Sequence, residues 1–170
     1  MKKIKPLVIL LVFLVLAPIR SVAQDSLSSL PDVTLKTLGR QSVQSGTFSN
    51  DDKPIAVIFW ATWDAKSKQL LADLKDVQAD WEDETGVKII AVSMDDARSS
   101  PKVAPYWNSK GFGFEVYLDE SKNLAMALGV TLPPTAVLLN GQKKVVWSKG
   151  GSYDGLEEAL YEQIKNAVSQ

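Results

Sequence analysis

Residues Ile55-Ala56-Val57-Ile58-Phe59-Trp60 form an unbroken apolar run. Neither face of such a segment can look at water, so as a strand it must sit inside a sheet covered on both sides. Past the run the chain turns through Ala61-Thr62-Trp63-Asp64, and the pattern becomes helical. Leu70, Leu74, Val77 and Trp81 recur at spacings of four, three and four, which makes one apolar stripe. A buried strand, a tight turn and an amphipathic helix form the first half of a crossover unit that feeds a parallel sheet.

The remaining elements extend this start. Before it, Val33 to Lys36 alternates apolar and polar, Leu38-Gly39-Arg40 reads as a turn and Gln41 to Val43 as a return strand, which gives a small hairpin. After it, Gly86 ends the first helix and Val87 to Ser93 is a second apolar strand. Ser99-Ser100-Pro101 reads as a helix start with a Ser cap, followed by the apolar positions Val103, Tyr106 and Trp107. Phe114 to Leu118 is a third strand, and Ser121 to Leu128 is a short helix closed by Gly129. Thr135 to Leu139, an Asn140-Gly141 turn and Lys144 to Ser148 form a second hairpin. A final helix carries Leu156, Leu160, Ile164 and Val168 at every fourth place. Strands alternating with helices imply a parallel core, and the closing hairpin adds antiparallel strands to it.

This order, together with Phe59-Trp60-Ala61-Thr62-Trp63, Lys68, Val92-Ser93-Met94-Asp95, Gly129-Val130 and Pro133-Pro134-Thr135, resembles the thioredoxin fold. More narrowly, the chain resembles the exported TlpA/ResA-like thiol-disulfide oxidoreductases, an AhpC/TSA-related branch, over about residues 33–168. The resemblance implies an α/β chain with three α/β/α layers, a central mixed sheet and an N-terminal β-hairpin extension. It also implies a cis-proline facing the site. Counting from Gly129 favours Pro134 for that role, and counting back from Gly141 favours Pro133.

The family's chemistry rests on a C-x-x-C pair after the aromatic turn, and here Asp64 and Ser67 stand at those two places. A helix N-terminus stabilises a thiolate, but a carboxylate there cannot attack a disulfide, and a serine cannot resolve one. The buried acid found in many thioredoxins two residues before the strand's Trp is Ile58 in this chain. The sequence contains neither cysteine nor histidine. Disulfides, Ser-His and Cys-His nucleophilic pairs, and zinc sites built on thiolate or imidazole are therefore excluded. The resemblance thus describes a degenerate member with no catalytic residue, no cofactor and no metal.

Asp64 is expected to cap the helix by accepting the N–H of Lys66 or Ser67. The competing reading makes it a binding or acid–base carboxylate at the old site. Lys66 and Lys68 read as solvated first-turn side chains, and Asp95-Asp96 as a solvated turn. Trp60 reads as core, whereas Trp63 lies where the resemblance implies a ring exposed beside a groove. Trp63, Asp64, Ala65, Pro133 and Pro134 are the candidate groove for a protein or peptide partner. The alternative is a thiol-disulfide oxidoreductase acting in envelope redox homeostasis.

Lys2, Lys3 and Lys5 precede an 11-residue apolar run from Leu7 to Ala17, then Pro18 and Ser21-Val22-Ala23. That is the layout of a secretory signal cleaved after Ala23, and the run is short for a membrane span of roughly 20 residues. Residues 1–23 are expected to be the signal peptide and 24–170 one domain, exported to the periplasmic or extracellular side of a bacterial envelope. Membrane contact is expected only through an uncleaved signal. Cleavage takes Lys+Arg from 19 to 15 against 20 Asp+Glu, leaving net −5. Without a basic block there is no footprint for nucleic acid.

Overall fold

Backbone hydrogen bonding resolves the apolar run into β3 (Ile55–Trp60), all six of whose residues are buried. The computed structural model describes residues 29–151 and 154–168, so the expected signal peptide and the start of the expected domain lie outside the described residues. β1 (Thr34–Lys36) and β2 (Ser42–Gln44) make the N-terminal hairpin, and β3 leads into α1 (Ala65–Thr85). β4 (Lys88–Ser93), α2 (Val103–Lys110), β5 (Glu115–Leu118) and α3 (Asn123–Ala127) follow. β6 (Thr135–Leu139), β7 (Val145–Gly150) and α4 (Leu156–Val168) complete the described chain.

The seven strands form one mixed sheet in the order β2-β1-β5-β4-β3-β6-β7. β3 runs parallel to β4 and β4 parallel to β5, while β6 is antiparallel to both β3 and β7. Alternation along β3 feeds two cores. Ala56, Ile58 and Trp60 pack with α1, α2 and α4, whereas Ile55, Val57 and Phe59 pack with α3 and with Leu30, Leu35 and Phe48. Every expected element is present, in the three-layer α/β/α arrangement.

α1 ends at Thr85 before Gly86, as expected, because Gly86 at φ 68° takes the left-handed cap readily. Other details differ from expectation for local reasons. Ser99 does not cap α2 through its side chain; its N–H and hydroxyl are both held by the Asp96 carboxylate at 2.9 Å. The Asn140-Gly141 turn is longer than two residues. Lys143 N–H donates to the Asn140 carbonyl and Asn140 N–H to the Lys144 carbonyl, with Lys143 itself at φ 58°. Val168 is exposed, because four-residue steps drift by about 40° each around a helix and carry the fourth member off the buried face. No described helix is long and apolar enough to cross a membrane.

Candidate functional site

The parallel strands β3 and β4 end side by side, and the pairing of Phe59 with Thr135 brings the start of β6 to the same edge. The turn after β3, the first turn of α1 and the loop before β6 therefore meet at one end of the sheet. In that loop the Pro133–Pro134 peptide bond is cis, which makes Pro134 the cis residue of the two candidates.

Asp64 is the N-cap of α1, with extended backbone at φ −99° and ψ 117°. Its Oδ2 accepts the Ser67 N–H at 2.6 Å and the Ser67 hydroxyl at 2.6 Å. The expected cap is therefore formed, and Ser67 is the residue it holds. The two positions that carry sulfur in the family remain bonded to each other here, through a carboxylate and a hydroxyl.

Ser67 has 0 % of its surface exposed. Its oxygen is aimed at Asp64 and is closed to any external carbonyl, so Ser67 has no approach path as a nucleophile. Lys66 is exposed and lies 3.3 Å from the still more exposed Asp154, a contact of little energetic weight in water.

A second carboxylate anchors the turn itself. Asp95, read as part of a solvated turn, is fully buried. It accepts the Thr62 N–H at 2.8 Å, the Thr62 hydroxyl at 2.5 Å and the Ser93 hydroxyl at 2.8 Å. Three donors to one buried carboxylate meet the requirement that such a charge be hydrogen-bonded, and they tie the β3–α1 turn to the end of β4. Of the acidic pair, only Asp96 faces water. Among the described residues no cluster of histidine, cysteine, aspartate and glutamate is arranged to hold a metal ion.

Trp60 is wholly buried in an aromatic cluster, with Tyr106 and Trp107 at 5.6 and 5.5 Å between ring centres. Trp63 is the opposite case, at 58 % exposed. Pro133 and Pro134 are both buried, and the apolar surface of their loop comes from Leu132, which is 62 % exposed. Leu132 was not among the expected site residues. Its signal is a lone large apolar residue in a turn between Gly129 and two prolines, where no strand or helix face can bury it.

Pro134, Lys66 and Leu70 line a groove of about 190 Å³ beside α1, together with Asp154, Glu157 and Glu158. Burial, and then the negative charges of Glu158, Asp73 and Asp76, hold the Glu157 carboxyl above its ordinary range. A larger hollow of about 720 Å³ lies at the opposite end of β3, against Pro54 and Gly141, away from this constellation.

Comparison with known proteins agrees with this geometry. The AhpC/TSA family pattern matches residues 28–148. A thioredoxin-like protein from Porphyromonas gingivalis is 34 % identical in solution structure, with TM-score 0.73, over 82 % of this chain and 92 % of that one. A Chlorobium tepidum structure assigned as a DsbE-type thiol:disulfide interchange protein is 23 % identical, with TM-score 0.70, over 83 % and 96 % of the two chains. The pneumococcal exposed lipoprotein thioredoxin from Streptococcus pneumoniae is 18 % identical, with TM-score 0.63, over 80 % and 99 %. The last two likenesses concern the fold alone. No curated protein matches the chain.

Proposed function

Because the chain belongs to the AhpC/TSA family and yet holds a carboxylate and a hydroxyl where sulfurs belong, we propose that it is an exported, redox-silent binding module. Its partner is a protein or peptide, held on the surface formed by Trp63, Asp64, Ala65 and the Pro133-Pro134 loop. The observation that carries this reading is the 58 % exposure of Trp63 in a turn otherwise fixed by hydrogen bonds from Thr62 to the buried Asp95. An exposed indole on a rigid support meets the demands of a binding hot spot, which needs large apolar area and little ordering cost. Leu132 extends that apolar surface from the neighbouring loop. Export is supported by the N-terminal segment and by the described surface location of the pneumococcal relative.

Crosslinking capture from the native envelope tests the binding role. Trp63→Ala combined with Asp64→Ala is expected to lose the partner that the unaltered protein retains. If every captured partner persists, the groove is not the binding surface.

The second reading, a thiol-disulfide oxidoreductase in envelope redox homeostasis, is favoured by family membership and by the activity named for the Chlorobium relative. It needs a redox-active sulfur, and the chain has none. Insulin reduction above the uncatalysed background would establish it against the binding reading.

A further inference from the structure

The side of α1 that faces α2 carries Ala65, Lys68, Ala72 and Lys75 along one stripe, at helical spacings of three, four and three. Opposite stand the half-buried rings of Tyr106 and Phe112 and the exposed Lys110, and between the two walls runs a groove of about 560 Å³. The two alanines leave room where longer side chains would fill the floor. Tyr106 packs on Trp60, and Phe112 lies 4.5 Å from Trp107, so the aromatic wall is continuous with the core and rigid.

The charge here runs against that of the molecule. The chain is net −1, but three lysines line this groove against a single acid, Asp76. Lys36, Lys66, Lys88 and Lys165 each reach a carboxylate. Among the described residues, none of the three groove lysines forms an ion pair. Lys75 donates to the Lys110 carbonyl at 2.7 Å, and the Lys110 ammonium sits 5.8 Å from the Tyr106 ring centre. The three ammonium groups on this groove are thus left without a carboxylate partner among the described residues, and an incoming anion can supply one.

We propose that the α1/α2 groove is a docking site, separate from the Trp63 surface, for a short extended acidic segment of a partner protein with an apolar or aromatic residue between its carboxylates. From Ala65 to Asp76 the helix advances about 16 Å, at about 1.5 Å per residue. That length accommodates about five residues of extended chain, at about 3.3 Å each. The carboxylates pair with Lys68, Lys75 and Lys110, while the central side chain lies on Ala72 against Phe112 and Tyr106. An acidic partner meets three lysines against one acid here, in a chain whose charges otherwise nearly balance, and that local excess of positive charge favours this groove during encounter.

The test uses the full chain labelled with nitrogen-15 and the pentapeptide Asp-Glu-Phe-Asp-Glu as the probe. Shifts of the Ala72, Lys75, Lys110 and Phe112 amides are expected on titration, and affinity should fall several-fold between about 50 and about 300 mM salt as screening increases. Lys75→Glu with Lys110→Glu is expected to weaken binding at least tenfold. Both positions are exposed, so the fold should be retained. Ala72→Phe, which fills the floor without altering charge, is expected to weaken it by a similar factor. Unmoved groove amides, an equal response to Lys-Arg-Phe-Lys-Arg, or charge reversal without effect would each overturn the proposal.

Discussion

At the scale of the residue, Asp64 and Ser67 decide both what the site cannot do and what holds it together. The bond between them fixes the first turn of α1, since Asp64 Oδ2 accepts both the N–H and the hydroxyl of Ser67. Asp64→Ala removes the cap and should lower unfolding free energy by about 0.5–2 kcal/mol in urea melts, whereas Asp64→Asn should retain most of it. An equal loss for Asn and Ala would mean that the charge, not the cap hydrogen bonds, governs this position. Reinstalling sulfur tests the chemistry. Asp64→Cys with Ser67→Cys places thiols at an N-cap and three residues on, where the helix dipole lowers thiol pKa, and it should raise insulin-reducing activity above that of the unaltered chain. With Ile58 in place of a buried acid, the gain should stay below that of a family member with its acid intact. The cap was legible in the sequence, because cap chemistry is contained within four consecutive residues. The role of Asp95 was not, because its partner Thr62 lies 33 residues away and reaches it only through the pairing of β3 with β4.

At the scale of the element, the N-terminal hairpin is the part of the sheet with the slightest backbone attachment. β1 joins β5 through the single pair Lys36 with Leu118. Side chains supply the rest. Glu120, in the turn after β5, accepts from Lys36 at 2.6 Å and also from Arg40 and Ser100. The Lys36 ammonium foremost, then the Ser100 hydroxyl and Arg40, hold the Glu120 carboxyl down at about 2, from an ordinary value of 4.5. A carboxyl that binds its proton less tightly when folded adds stability that is complete above about pH 4.5 and lost as pH falls towards about 2. Amide exchange in β1 and β2, compared with Glu120→Gln at each pH, should therefore show extra protection at pH 6 that disappears by about pH 2. A constant ratio between the two proteins across that range would remove Glu120 from the account. The hairpin strands themselves were readable from alternation at Val33 to Lys36. Their anchor was not, because it joins residues about 80 positions apart. The same distinction explains α4, whose buried face was legible from Leu156, Leu160 and Ile164 while the exposure of Val168 follows from helical drift over three four-residue steps from Leu156.

At the scale of the whole molecule, one sheet separates two cores, and the layer order was legible because β3 had to be covered on both faces. Which loops and helix sides meet to make surfaces was not, since the groove walls are brought together by packing and not by any repeat in the chain. The arrangement sets a limit on how changes combine. Ile164 in α4 belongs to the core on one face, and Ile55 in β3 to the core on the other. Ile→Val at either site removes one buried methyl group and should cost about 0.5–1.5 kcal/mol. Substitutions that share no packing partners add to within about 0.5 kcal/mol. The double variant should therefore lose the sum of the two single costs. Both cores share β3, β4 and β6, so neither layer can open without exposing the back of the other, and the loss should appear in one cooperative transition. Tryptophan fluorescence, to which the buried Trp60, Trp81 and Trp107 contribute, reports the core of Ile164, and far-ultraviolet circular dichroism reports the whole sheet. Coincident midpoints by the two probes, shifted by the additive amount, are the expected result. Separate midpoints would mean that the layers unfold independently and that the shared sheet does not couple them.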